Sequence, residues 1–236
     1  MRQFSTRVKA NTNNSLSLVV WGTNLTSTVG VGRFSKQVRD MIQLPPYQKS
    51  VIIGLILSDG WLRFPSKTSK SANLGLKQSV AHSDYVWFVF SFLSHYCDNL
   101  PLYRLEKRGE KSHLSVEIVT RALPCFNELY FLFYVNKVKV IPENIYDLLT
   151  PVALAHLILG DGSAQRHGLI LCTDSFTIPE VVRLMNVLMI RYRLACTLRF
   201  HTSTQPRIYI REGSLGKLRG IVGPFMLPSM LYKLVK

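Results

Sequence analysis

A short apolar and acidic motif occurs twice in this chain, as IIGLILSDG from Ile52 to Gly60 and as LAHLILGDG from Leu154 to Gly162. In each copy, apolar residues at helical spacing run into one carboxylate and one glycine. The C-terminal end of a helix is the negative end of its macrodipole, so an acid placed there twice needs a reason. If the two helices pack against each other, Asp59 and Asp161 meet, and a divalent cation held through oxygen relieves their repulsion. The plainer alternative is a pair of packed helices whose terminal acids are merely solvated. Gly54, Ser58 and Gly160 are small enough to let the two backbones approach.

The repetition extends beyond the motif. Pro46 suits the first turn of the first helix, and Thr150 with Pro151 supplies a cap and a first-turn proline for the second. LGLKQS at Leu74 to Ser79 resembles LILCTDS at Leu169 to Ser175, each reading as a strand that enters a turn. Helix-like stretches follow at Asp84 to Leu93 and Ile178 to Leu188, then β-rich runs at His113 to Leu123 and Pro206 to Leu215. Each half closes on a lysine-containing stretch near a proline, at Asn136 to Pro142 and Leu227 to Leu234. The expected fold class is α+β, with an αββαββα order written twice and pseudo-twofold symmetry about the motif helices. Residues 45–149 and 150–236 are the expected half-domains, and 1–44 a basic N-terminal extension.

Composition narrows the partners. With 47% hydrophobic residues in 236, the chain can bury a large core. Its net charge of +15 favours a polyanion, nucleic acid before an acidic membrane surface. No apolar stretch approaches the ~20 residues of a spanning helix. Cys97, Cys125, Cys172 and Cys196 lack metal-ligand spacing and read as reduced core thiols. Residues 1–39 carry Arg2, Arg7, Lys9, Arg33, Lys36 and Arg39 and no acid, which fits an organellar transit peptide as well as a phosphate-contacting arm.

At the two motifs the chain resembles the LAGLIDADG homing endonucleases, in the monomeric branch that carries both motifs in one chain. The resemblance runs from about Pro45 to Lys233. It implies two half-domains whose motif helices form the central interface, and two curved antiparallel sheets that make a saddle over DNA. It implies that Asp59 and Asp161 bind Mg²⁺, or Mn²⁺ in its place, with the carbonyls of Ser58 and Gly160 as further ligands. Lys139 and Lys233 stand where the family has a basic residue at each cleavage site, with Lys137 the rival to Lys139. Leu57 and Leu159 replace an acid of the family pattern, and His156 stands where the first copy has Gly54. A bulky imidazole there widens the helix crossing unless the crossing is asymmetric at that point, and a satisfied core histidine is expected before a ligand.

Recognition is expected from strand faces and turns: Arg63, Lys67, Lys70, Lys77 and Gln78 in the first half, and Arg166, His167, Thr173, Asp174, Arg199, Arg207 and Arg211 in the second. Loop residues Arg104, Lys107, Arg108 and Lys111 are expected to add backbone contacts. The expected activity is metal-dependent hydrolysis of both strands of a long asymmetric DNA target by a monomer of mitochondrial or other organellar origin. An intron RNA maturase of the same fold is the nearest rival, with intron RNA as partner. A non-catalytic nucleic-acid-binding module is more distant, and a membrane-surface protein, suggested by YVWFVFSFL at Tyr85 to Leu93, more distant still.

Overall fold

The computed structural model describes residues 26–108 and 111–234. The N-terminal part of the described chain is irregular apart from α1 (Lys36–Met41), capped by the Ser35 hydroxyl. It is fastened by a few polar contacts. Thr28 Oγ1 donates to the carbonyls of His95 and Cys97 at 2.8 and 2.9 Å, and the Arg121 guanidinium donates to Val31 O at 2.6 Å while stacking on Phe34. Arg39 is spent in the same way, on Ala122 O at 2.8 Å. The rest of the extension, residues 1–25, lies outside the described residues.

The first repeat comprises α2 (Pro46–Ile56), β1 (Trp61–Arg63), β2 (Asn73–Ser79), α3 (Ser83–Leu93), β3 (Leu102–Arg108), β4 (Lys111–Val119) and α4 (Asn127–Phe133). A tight hairpin follows, β5 (Tyr134–Val135) and β6 (Val138–Lys139), turned by Asn136 and Lys137 at φ of 50° and 66°. A short α5 (Ile145–Leu148) leads to the second repeat: α6 (Pro151–Asp161), β7 (Gly162–Gln165), β8 (Gly168–Leu171), α7 (Ile178–Ile190), β9 (Cys196–Phe200), β10 (Pro206–Arg211) and α8 (Leu215–Val222). The αββαββα order therefore occurs twice, and the two four-stranded antiparallel sheets share one topology, β1-β2-β4-β3 and β7-β8-β10-β9.

Both motif helices are buried on nearly every side, as helices without a polar face must be. Thr150 caps α6 by accepting from Ala153 N at 3.2 Å, whereas α2 starts on Pro45-Pro46 with no side-chain cap. The connection between repeats grips α7: Glu180 accepts from Ile141 N at 3.0 Å and Arg183 donates to Ile141 O at 2.6 Å.

Alternation along the strands separates two sheet faces. Leu74, Leu76, Val116 and Ile118 in the first sheet, and Leu169, Leu171, Ile208 and Ile210 in the second, point into the core. The register then puts Arg63, Lys77, Arg104 and Glu117 on the outer face of the first sheet, and Arg199, Arg207, Tyr209 and Arg211 on that of the second. All four cysteines are free; Cys97 and Cys196 are buried, Cys125 and Cys172 half-buried. No helix among the described residues is long and apolar enough to cross a membrane. The aromatic run Tyr85 to Leu93 is α3, which buries Tyr85, Val86, Val89, Phe90 and Leu93.

Candidate active site

The two motif helices cross in contact, and small residues make this possible. A methyl group on Gly54 would stand 2.6 Å from His156 Cβ and collide with the Ala153 carbonyl. One on Gly160 would stand 2.6 Å from Ser58 Cβ and 3.1 Å from Asp59 Oδ2. The Asp59 carboxylate therefore lies against the backbone of α6, just before Asp161. The glycines after the acids are required by the same kind of crowding: a Cβ at Gly60 would meet Leu55 O at 2.8 Å, and at Gly162 the Ile158 side chain at 2.8 Å.

The two acids reach this position differently. Asp161 is the last residue of α6, whereas α2 ends at Ile56 and Asp59 lies in the turn beyond it. The Ser58 hydroxyl explains the early stop by donating back to Gly54 O at 3.0 Å, and Gly60 N closes on Leu55 O at 2.7 Å. Asp59 is exposed, and Gln78 Nε2 donates to its Oδ2 at 2.6 Å. Asp161 is largely shielded from water; burial and then the neighbouring Asp59 push its carboxyl up to about 7.

A lysine seals the end of each motif helix. Lys139 Nζ donates to the carbonyls of Ser58 and Gly60 at 3.0 and 2.8 Å. Lys233 Nζ donates to those of Ile158, Leu159 and Gly160 at 3.2, 2.6 and 3.4 Å. Both ammonium groups are lowered by burial, against the pull of the two aspartates. They answer the question of how acids are tolerated at the negative end of a dipole, because each helix end carries its own cation. Lys137 is exposed in the β5–β6 turn, away from these carbonyls.

His156 does not widen the crossing. Its ring leaves the helix contact for a fully buried pocket, with Tyr85 OH 3.1 Å from Nδ1, Phe88 stacked at 6.0 Å and Phe92 edge-on. Burial lowers its basicity to about 3, so it is neutral.

Several expected DNA contacts are otherwise engaged. Gln78 is turned to Asp59. Thr173 is fully buried and donates to Pro206 O at 2.7 Å. Both follow two core leucines at alternate positions, Leu74 and Leu76 or Leu169 and Leu171, so their inward direction was readable from strand parity. Arg104, Lys107, Arg108 and Lys111 belong to β3 and β4 rather than to a loop, and the register puts Lys107 on the face opposite Arg104. The side chains of Arg108 and Lys111 lie outside the described residues.

Many outer-face cations already have acidic partners: Lys77 with Glu106, Arg104 with Glu117, and Arg207 with Asp174 through two bonds of 2.7 and 2.6 Å. His167 contacts Glu212 at 3.0 Å, and the Arg199 guanidinium stacks over Tyr209. Arg63, Lys67, Lys70, Arg166 and Arg211 are exposed.

Among the described residues no cluster of three or more His, Cys, Asp and Glu side chains is arranged to hold a metal. Two carboxylates beside helix-end carbonyls fit a hard cation that takes its remaining ligands from water or phosphate.

A family model described as the LAGLIDADG DNA endonuclease family matches residues 49–218. The chain belongs to that family. It is 33% identical over 198 residues to the cytochrome b mRNA maturase bI2 of Saccharomyces cerevisiae, which covers 78% of this chain and 46% of the relative. It is 32% identical over 174 residues to the protein of the same name from Debaryomyces hansenii, covering 71% and 66%. The chain thus spans about half to two thirds of these relatives' length. DNA endonuclease I-ChuI of Chlamydomonas applanata is 26% identical over 211 residues, with 81% and 96% covered. The solved structure of the homing endonuclease I-WcaI bound to its DNA recognition sequence superposes with a TM-score of 0.79 at 24% identity, covering 92% of this chain and 99% of that one. This last likeness concerns the LAGLIDADG fold, two sheets about a central helix pair.

Proposed function

We propose that this LAGLIDADG protein is a monomeric, site-specific endonuclease that cuts both strands of a long asymmetric DNA target with Mg²⁺, or Mn²⁺ in its place. The observation that carries the reading is the meeting of Asp59 with the Gly160–Asp161 end of α6, with one lysine anchored at each helix terminus. Asp59 and Asp161 would hold the ions, and the carbonyls of Ser58 and Gly160 keep a lone pair beyond the lysine contacts. Bound ions would polarise the phosphate and lower the pKa of a water nucleophile. The residues do the positioning. Gln78 fixes the Asp59 carboxylate, and Lys139 and Lys233 place positive charge where a scissile phosphate gains negative charge.

The outer faces of the two sheets would receive the duplex. Arg63, Lys77, Arg104, Arg199, Arg207 and Arg211 are available for phosphates or base edges, and Lys67, Lys70, Arg166 and His167 for the backbone at the turns. The ion pairs favour selectivity, because Lys77, Arg104 and Arg207 leave a carboxylate only for a better partner. Asp174 and Arg207 form one unit with an acceptor for cytosine and a donor for guanine. The two faces differ, which suits an asymmetric target. The half-domain division at residue 150 belongs to this reading and is supported by the Thr150 cap.

A second role in splicing intron RNA is favoured by the relatives named as cytochrome b mRNA maturases, which also support a mitochondrial intron as the origin. Strand-resolved cleavage of a supercoiled target plasmid tests the nuclease reading. Linear product from wild type, with product lost in Asp59→Asn and in Asp161→Asn while binding persists, supports the nuclease. Cleavage by either single variant at the wild-type rate would contradict the site.

A further inference from the structure

Beside β1 lies a second concave site, distinct from the acid pair. It is a cleft of about 620 Å³ between the β1–β2 loop and the α4–β5 corner, a size typical of small-ligand sites. Its walls are three cations, Arg63, Lys67 and Lys137, and three aromatic rings, Phe64, Tyr130 and Tyr134.

Two properties combine in it. The first is charge: Lys77, Arg104 and Arg207 are paired with carboxylates, whereas no acid among the described residues pairs with Arg63, Lys67 or Lys137, all of which are exposed. Three uncompensated cations around one hollow select an anion. The second is the aromatic wall. Tyr130 and Tyr134 are stacked with 4° between their planes and centroids 5.0 Å apart, and Phe64 meets Tyr130 edge-on at 4.7 Å. Tyr134 is pinned by accepting the Leu62 amide at 3.0 Å, so the stack is fixed before any ligand arrives.

We propose that this cleft binds one unpaired, unstacked nucleotide of a single-stranded nucleic acid segment. Its base lies on the aromatic wall and its phosphate among Arg63, Lys67 and Lys137. A duplex cannot use such a wall, because both faces of each paired base are covered by neighbours. A splayed base in a loop or single strand can. The cleft also borders the β5–β6 hairpin that carries Lys139, so an occupant touches the element supporting the first acid.

The test compares binding of a labelled oligouridylate, an oligothymidylate of equal length and a blunt duplex, by anisotropy over a salt series without divalent ions. The readout is binding and not cleavage, so failure of the nuclease reading and failure of this one are read separately. For both single strands, Lys137→Gln and Lys67→Gln are expected each to reduce the slope of log affinity against log salt by about 0.7. Phe64→Leu is expected to weaken single-strand binding about tenfold, with a smaller loss for the duplex. Preference for oligouridylate would identify RNA as the occupant; equal binding of the two would identify a site that reads base and phosphate alone. Unchanged single-strand affinity in Lys137→Gln, an exposed substitution that leaves the core intact, would overturn the proposal. So would equal losses for duplex and single strand in all three variants.

Discussion

Gln78 Nε2 donates to Asp59 Oδ2 at 2.6 Å, which joins a strand residue of the first sheet to the acid at the end of the first motif helix. The second repeat lacks this arrangement, because Thr173, at the matching point after two core leucines, is buried on Pro206 O. The two carboxylates therefore have unequal support. Gln78→Ala is predicted to slow the cut made on the Asp59 side by about 10- to 100-fold, as expected when a positioning contact is lost. Nicked plasmid should accumulate before linear product, with binding little changed. Equal slowing of both strands would argue against a role specific to Asp59.

The helix crossing depends on Gly54. Gly54→Ala is predicted to destabilise the protein by roughly 1–3 kcal/mol, since the added methyl meets the Ala153 backbone and His156 Cβ, neither of which can turn aside. Gly220→Ala, inside α8 where nothing lies within 4 Å, is the control expected to leave the melting temperature at or slightly above that of wild type, because alanine favours the helix over glycine. Matching melting curves for both variants would mean that the helices are not in close contact at Gly54.

Two buried groups give the metal-free protein opposing pH dependences. Asp161 keeps its proton up to about 7 against an ordinary 3.8, so between these values the folded state binds the extra proton and stability falls as pH rises. His156 stays neutral down to about 3 against an ordinary 6.5, so over that interval the unfolded state binds the extra proton and stability rises with pH. Each slope is up to about 1.4 kcal/mol per pH unit, and they oppose one another from 3.8 to 6.5. Chemical denaturation in chelator should show Asp161→Asn losing stability on acidification more steeply than wild type, and His156→Leu less steeply. Parallel profiles for all three proteins would count against both assignments.

The acid pair also predicts a metal effect on stability without DNA. Ca²⁺ at saturating concentration should raise the melting temperature of wild type, because the ion binds the folded site and relieves the repulsion of the two carboxylates. The Asp59→Asn, Asp161→Asn double variant should show no such rise. An equal rise in both proteins would place the ion elsewhere.

The repeat, the element order and both motif acids were legible in the sequence because they rest on apolar periodicity and on a motif written twice. Lys139 and Lys233 were legible only through the family resemblance, since nothing local shows that their ammonium groups fold back onto helix-end carbonyls. The outer-face ion pairs were hidden for a similar reason. Arg104 meets Glu117 across a strand pair, and Arg207 meets Asp174 from beyond a strand end, and register decides both. The packing of residues 26–44 left no periodic trace because single side chains such as Thr28 and Arg121 hold irregular backbone. The inward direction of Gln78 and Thr173 was available from alternation, and a reading that favoured polarity over parity misses it.

The most direct test of the central claim is cleavage of a randomised DNA library by wild type and by the Asp59→Asn, Asp161→Asn double variant, each with Mg²⁺ and with Ca²⁺. The predicted result is a discrete set of double-strand cuts from wild type in Mg²⁺ alone, absent from the double variant, which still retains DNA. Binding without cuts by wild type in Mg²⁺, or cuts that persist in the double variant, would contradict it.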